Sequence, residues 1–489
     1  MNKSKIIKDI HLPKEINNIL NDLNKSGYEG YLVGGCIRDI LMNKEPKDWD
    51  ITTNARPEEI QEVFPDSFYE NNFGTVGVKT DLGVVEITPY RLEGSYSDGR
   101  RPDTVEYTDN IELDLGRRDF TINSIAYNPI NEIIIDLFKG QEDIKNKIIR
   151  CVGNPDIRFS EDGLRIMRMI RFSAQLDFSI DTETLTSAMN KRHILDNIAK
   201  ERIREELCKI LMSKDAIKAF IYMNKIDILQ YITIHLKESV NVKQNGCHAY
   251  DVFEHLIRSL QCAIDKNYPL EIRLAALFHD IGKPSTRVFS KEKNDFTFYN
   301  HEVVGTKITK SILKDLKFSH ETIEKVVKLV RWHMFFSDTE QITHSAVRRM
   351  ISNVGRDNIW DLINLRICDR VGTGRPKEDP YRLRKYMSII EEVMSDPTDV
   401  SMLKINGNDL INKLHVKSGP KIGKILNVLL DRCINDPSIN TEDSLLKMSK
   451  DLLSLEDKDL DALNKTALDK TKQEVEEKIK KIRSKYKVR

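Results

Sequence analysis

The chain has 489 residues, 40% hydrophobic and 31% charged, which excludes a disordered chain and leaves room for two to four domains. Formal net charge is only +1, so no global basic excess announces nucleic acid, and any RNA has to meet a local basic surface. The seven cysteines are odd in number, scattered and free of C-x-x-C pairs, which excludes a disulfide framework and points to free thiols in a reducing compartment.

The N-terminal MNKSKIIKDI lacks the apolar stretch of a signal peptide. No later run approaches the ~20 apolar residues that span a bilayer. A cytoplasmic protein without a membrane partner is expected. From about Tyr28 to Leu137, short β-rich runs (YLVGG, DWDIT, TVGVKT, VVEITPY, IIIDLF) alternate with turns and helical stretches. Asp81-Leu82-Gly83 sits between two such runs as a predicted hairpin turn. Beyond Ile157 strand signals nearly vanish and helical periodicity dominates, so an α+β head followed by a long helical body is expected.

Two features stand close together in the head. Gly34-Gly35-Cys36-Ile37-Arg38-Asp39 follows the apolar run Tyr31-Leu32-Val33. Such a Gly-Gly lets backbone N–H groups approach a phosphate, and Arg38 adds a charged donor. Alone, the pair also reads as an ordinary tight turn. Asp48-Trp49-Asp50 comes next. In a strand, Asp48 and Asp50 project from one face, and two adjacent carboxylates suit Mg²⁺ held together with substrate phosphates. An isolated Asp-x-Asp is equally a solvated loop end or a helix cap.

Further along lie Glu86-Ile87-Thr88-Pro89-Tyr90-Arg91, the polar segment 91–103 with Gly94 and Gly99 as hinges, Arg117-Arg118-Asp119-Phe120-Thr121-Ile122-Asn123, and Glu161-Asp162-Gly163-Leu164-Arg165. Taken together, Val-Gly-Gly-x-x-Arg-Asp, Asp-Trp-Asp-Ile-Thr and these later motifs resemble the polymerase-β-like nucleotidyltransferases. More narrowly, they resemble the bacterial-type (class II) family of CCA-adding tRNA nucleotidyltransferases and poly(A) polymerases. The resemblance covers roughly residues 28–210 in detail. It implies Asp48 and Asp50 as Mg²⁺ ligands, with Glu86 as a third carboxylate. It implies Gly34, Gly35, Arg38 and Arg118 at the triphosphate. Asp119 joins the site, orients an arginine or caps the next helix. The segment 91–103 resembles the flexible loop of CCA-adding members.

The resemblance also points to residues 161–171 as the nucleotide-selecting stretch. In one predicted helix Asp162 and Arg165 share a face, Arg168 continues the stripe and Arg171 drifts round it. A carboxylate only accepts hydrogen bonds and a guanidinium only donates them. Cytosine and adenine both carry an exocyclic amine beside a ring-nitrogen acceptor, so one Asp/Arg pair selects CTP and ATP. Uracil and guanine would set a carbonyl against the carboxylate, a penalty of ~1–3 kcal/mol.

In the helical body, Leu277-Phe278-His279-Asp280-Ile281-Gly282-Lys283-Pro284 resembles the HD phosphohydrolase superfamily. The ordered series His255, His279, Asp280, His301, His333 and Asp369 then implies a divalent transition-metal site whose identity of metal is open and whose reaction would be phosphoester hydrolysis. Near the C-terminus, Gly419, Gly423, Lys417, Lys421 and Lys424 look like a tRNA-body contact, or equally a solvated helical turn. From about Glu456 a charged helix or tail follows.

The expected organisation is a nucleotidyltransferase head (1–150), a neck of selecting and RNA-binding helices (151–240), an HD-type domain (241–396) and a tRNA-binding tail (397–489). The expected partners are tRNA, CTP and ATP. Poly(A) addition, C-only or A-only addition, and an HD phosphohydrolase with an RNA-tethering head are the competing readings.

Overall fold

A computed structural model describes residues 12–69, 74–94, 104–246, 248–335, 343–374, 378–394 and 403–488. The chain forms two compact units, residues 1–333 with 364–376, and residues 334–363 with 377–489.

The first unit opens on helix Lys14–Lys25, whose Ile16, Ile19, Leu20 and Leu23 form one buried stripe at helical spacing. A seven-stranded sheet follows, in the order Phe68–Tyr69, Val76–Thr80, Gly83–Pro89, Asp50–Thr53, Gly30–Val33, Ala126–Asn128, Ile133–Ile135. Every neighbouring pair is antiparallel except Asp50–Thr53 with Gly83–Pro89, which run parallel. The predicted Asp81-Leu82 hairpin is present, with Thr80 opposite Gly83.

Strand alternation divides the core in two. Leu32, Ile51, Val85 and Ile87 join the helix Lys14–Lys25 stripe in one apolar cluster. Tyr31 and Val33 point the other way, into a cluster with Tyr90, Ile111 and Leu115. The Gly30–Val33 strand is thus buried on both faces, and the candidate site motifs hang from its end and from the adjoining Asp50–Thr53 strand.

Helices dominate the rest of the first unit, from Pro155–Glu161 and Leu164–Leu176 to His320–Trp332. Two exceptions were not foreseen among the described residues: Ser179–Ile180, paired in parallel with Ile148–Ile149, and a hairpin, Val288–Ser290 with Asp295–Thr297. The second unit is helical, with a core of Ile405, Leu410, Ile425, Leu429, Leu445, Leu452 and Leu460. The expected C-terminal helix is there, as Asp457–Lys485. Ser95–Asp103 of the polar loop, Asp396-Pro397-Thr398 and Cys247 lie outside the described residues, and the six described cysteines are free. Among the described residues no helix is long and apolar enough to cross a membrane.

Candidate active site and metal centre

Gly34 follows the Gly30–Val33 strand at φ +78°, a left-handed conformation that favours glycine. A Cβ there would stand 3.4 Å from Asp50 Oδ2 and 3.6 Å from Arg118 Nη1. The glycine turn, one aspartate and one arginine therefore share a single spot. Gly35 opens the next helix with Arg38 Nη2 3.5 Å from where its Cβ would lie. Arg38 donates to Asp39 Oδ1 at 2.9 and 2.8 Å and to Asn123 Oδ1 at 2.8 Å.

The two aspartates differ from expectation in one respect. The strand begins at Asp50, and Asp48 sits before it in an exposed bend. Strand alternation does not hold Asp48, because the ladder reaches back only to the Trp49 carbonyl, which accepts from Glu86 N at 3.3 Å. The carboxylates still feel one another. Burial pushes the Asp50 carboxyl up; Asp48 pushes it further, while Arg118 and Arg38 oppose. Glu86 is the parallel register partner of Asp50 and is exposed between the buried Val85 and Ile87.

Arg118 is aimed by a fully buried acid. Asp114 accepts from Arg118 Nη2 at 3.0 Å and from Arg117 Nε and Nη2 at 2.9 and 2.7 Å. Burial alone would raise the Asp114 carboxyl, but Arg118 and Arg117 hold it below the usual carboxylate range. Arg118 Nε is buried and has no acceptor, a donor left over for an anion.

Both carboxylate oxygens of Asp119 are taken by neighbours. Its Oδ1 accepts from Phe120 N at 2.8 Å and Asn123 Nδ2 at 3.1 Å, and its Oδ2 accepts from Arg168 Nε and Nη2 at 2.9 and 2.6 Å. Against the burial, Arg168 draws the carboxyl down to about 2. Of the three readings of Asp119, the arginine-orienting one matches these bonds.

Residues 161–171 are not one helix. Helix Pro155–Glu161 stops at Asp162, which is extended (φ −139°, ψ 103°), and a second helix, Leu164–Leu176, starts afresh. The Asp162 Oδ1 accepts from Leu164 N at 3.0 Å, so the side chain caps its own chain reversal. Gly163 fits because a Cβ there would fall 2.7 Å from Ile194 Cγ2. Asp162 and Arg165 consequently hold other partners. Asp162 is gripped by Arg202 through both oxygens, at 3.2 and 2.9 Å. Arg165 donates to Glu161 at 2.6 Å and to the Arg158 and Arg117 carbonyls at 3.0 Å each. Arg171 pairs with the buried Glu206 at 3.2 Å, and burial lowers its guanidinium to about 10. Arg38, Arg168 and Arg171 all stand over the Phe172 ring, 5.4, 5.4 and 4.4 Å from its centre.

The histidine series converges completely. His255, His279, Asp280 and Asp369 form one buried cluster of ligand atoms, and Asp280, His301 and His333 form a second. Asp280 belongs to both. Its Oδ2 lies 3.1 Å from His255 Nε2 and 3.3 Å from His279 Nε2, and its Oδ1 lies 3.1 Å from His301 Nε2 and 3.4 Å from His333 Nε2. The Nδ1 atoms of His279, His301 and His333 face the carbonyls of Ala276, Phe298 and Val330 at 2.9, 2.7 and 2.7 Å. Donation there leaves each Nε2 lone pair aimed inward. The Nε2 atoms of His301 and His333 are buried without a hydrogen-bond partner. Those of His255 and His279 stand 3.0 Å apart, the separation of cis ligands on one metal with bonds of about 2.1 Å.

Three family descriptions match in chain order: Poly A polymerase head domain (residues 30–150), Probable RNA and SrmB- binding site of polymerase A (177–238) and HD domain (252–371). A CCA-adding enzyme of Ligilactobacillus salivarius is 31% identical over 445 residues, which span 89% of this chain and 95% of that protein. The chain belongs to the CCA-adding enzyme family. With the CCA-adding enzyme of Lactobacillus delbrueckii it is 45% identical over 203 residues, 41% of this chain and about half (51%) of that relative's length. The crystal structure of the Bacillus stearothermophilus CCA-adding enzyme in complex with CTP has the same fold, with TM-score 0.60 at 23% identity over 89% of this chain and 96% of that one.

Four residues not singled out in the sequence shape this CCA-adding family site: Asp114, Glu161, Arg202 and Lys283. Asp114 precedes Arg117 and Arg118 by three and four positions, so helical spacing carried that signal, whereas Glu161 and Arg165, four apart, pair across the break at Asp162. Lys283 is three positions after Asp280, with its Nζ 2.6 Å from Asp280 Oδ2. Arg202 comes from a helix 40 residues away and left no local trace. In the tail, Lys421 pairs with Asp457 at 2.9 Å and Lys424 with Asp461, while Gly419 (φ 164°) is simply extended and a Cβ on Gly423 would meet nothing. Neither glycine is required by its backbone.

Proposed function

We infer that this chain completes the 3′-terminal CCA of tRNA from CTP and ATP without a template, releasing pyrophosphate. The reading rests on the meeting of the Gly34 turn, the Asp50 carboxylate and the Arg118 guanidinium. The backbone turn admits a triphosphate, and the acceptor-less Arg118 Nε supplies a donor for it. Arg38 adds charge on the helix behind Gly35.

Asp48 and Asp50, with Glu86 beside Asp50, would hold Mg²⁺ through hard oxygen ligands. When bound, that ion activates the attacking 3′-hydroxyl and neutralises the leaving phosphates. The chain's own contribution is positioning: Asp114 fixes Arg118, and Asp119 fixes Arg168.

Asp162 accepts the exocyclic amine of cytosine or adenine, and Arg165 serves the ring nitrogen. The chain break at Asp162 means that this pair is not a helical i,i+3 couple; each partner trades an internal contact for the base. Asp162→Ala should lower the preference for CTP and ATP over UTP and GTP by about tenfold or more. Single-turnover incorporation of each nucleotide on trimmed tRNA measures it. The function itself is tested by CTP alone, which should extend tRNA lacking CCA by two residues, with one more after ATP is added. A long run of A from ATP alone would make the chain a poly(A) polymerase instead. A protein acting on tRNA in this way would work in the cytoplasm.

A second activity is favoured by the histidine cluster. His255, His279 and Asp369 would hold one divalent transition ion and His301 and His333 another, with Asp280 facing both groups. Buried imidazole nitrogens without partners suit such ions. When bound they supply an activated water for phosphoester hydrolysis.

A further inference from the structure

We propose that the open face of the sheet beyond Asp50 seats the RNA end that is extended, with Phe68 stacking a base and Lys79 meeting a backbone phosphate. The inference rests on the nucleotide-addition reading above and adds how the acceptor strand is held.

Sheet order decides the side. Gly34, the Arg118 Nη1 beside it and the helix carrying Arg38 lie where the Gly30–Val33 strand ends, on one side of Asp50. In phosphoryl transfer the attacking and leaving oxygens stand in line across the phosphorus. A triphosphate held on the Gly34 side therefore leaves the attacking hydroxyl to arrive from the other side, over the strands Gly83–Pro89, Val76–Thr80 and Phe68–Tyr69. Register sets one row across that face: Asp50 pairs with Glu86, Glu86 with Gly77, and Gly77 with Phe68. Lys79 and Val84, two residues along the same two strands, pair with each other and extend the same face. The opposite face is the apolar one, where Ile51, Val76, Val78, Val85 and Ile87 pack.

The chemistry along that row suits a nucleic-acid strand. Val84 is 48% exposed, Lys79 is exposed and Phe68 is half-buried. Lys79 Nζ stands 5.6 Å from the centre of the Phe68 ring and has no carboxylate partner among the described residues. Gly77, between Phe68 and Glu86, puts no side chain in the way. Neighbouring strands lie about 4.8 Å apart, so three steps set Phe68 about 14 Å from Asp50, within reach of the last nucleotides of the acceptor and not of the tRNA body. An aromatic ring beside a cation takes a base and its phosphate whatever the sequence, because every base has a π-face. Such a seat fits an RNA end whose last bases change as C, C and A are added.

Steady-state addition to trimmed tRNA by the full chain tests the seat. Phe68→Ala should raise the KM for tRNA about tenfold and leave the KM for CTP unchanged, while Phe68→Trp, which keeps a ring, should restore the wild-type value. Lys79→Ala should weaken tRNA binding and lower the slope of log Kd against log salt by about 0.7, the share of one single-strand phosphate contact, whereas Lys79→Arg should keep the slope. An unchanged tRNA KM in Phe68→Ala, or an unchanged salt slope in Lys79→Ala, overturns the seat alone. A KM for CTP that rises in step with that for tRNA makes the two residues structural and also overturns it. Absence of CCA addition by the wild type overturns the nucleotide-addition reading and the seat with it. Independently of turnover, trimmed tRNA carrying 4-thiouridine as its last nucleotide, irradiated on the protein, should label the peptide holding Phe68 or that holding Val84; label confined to other peptides contradicts the proposal.

Discussion

At the residue scale, the site keeps its carboxylates in opposite electrostatic states. Burial raises Asp50, so its ionised form works against the fold: stability is full below the unfolded pKa and declines as pH climbs through the folded one. Asp50→Asn should therefore abolish nucleotide addition yet raise the melting temperature of metal-free protein at pH 7. A lower melting temperature would mean that Asp50 is structural. Asp119 behaves in reverse. Lowered to about 2, it contributes stability above about pH 4 that fades as pH falls towards 2. At about 1.4 kcal/mol per pKa unit, Asp119→Asn should cost roughly 2 kcal/mol near neutrality and little at pH 2, as read by denaturant melts at both values. Asp114→Asn removes a buried counter-ion from two arginines, and about 3 kcal/mol of stability should go with it. Gly34, Arg38 and Asp50 were legible in the sequence because their motif is local. Arg202 was not, because a side-chain pair formed across 40 residues has no periodicity to read.

At the element scale, pattern reading found the strands and the hairpin at Asp81-Leu82 but fused two helices into one. The error has a physical source. Residues 155–176 keep a helical apolar rhythm across the break, while Asp162 bonds to its own downstream backbone and Gly163 fills a space too tight for a side chain. The hairpin at 288–297 was missed because its strands are three residues each, too short for alternation to stand out. The residues of the histidine cluster, by contrast, were all named from the resemblance to the HD superfamily and from their order. They ride on separate helical segments, and only packing brings them together around Asp280. Because Asp280 faces both halves of the cluster, Asp280→Ala should lose both bound ions, whereas His333→Ala should lose one. Metal counted per chain by mass spectrometry after equilibration and desalting checks both; retention of two ions by Asp280→Ala would rule out the shared role.

At the scale of the whole molecule, a head built on a mixed sheet and a helical body were both readable from the switch in hydrophobic period near Ile157. What remained out of reach was how the acidic and basic groups pair, since a chain with net charge +1 gives no sign of where its cations gather. Arg38, Arg168 and Arg171 surround one phenylalanine ring, and only the folded chain shows it. The central claim is that the turn where Gly34 meets Asp50 joins C and A in order while Asp162 and Arg165 reject U and G. Reading the 3′ ends made on trimmed tRNA by wild type and Asp50→Ala with all four nucleotides present tests it most directly. The account predicts CCA ends from wild type and unextended tRNA from the variant; ends rich in U or G, or continued extension by the variant, would contradict it.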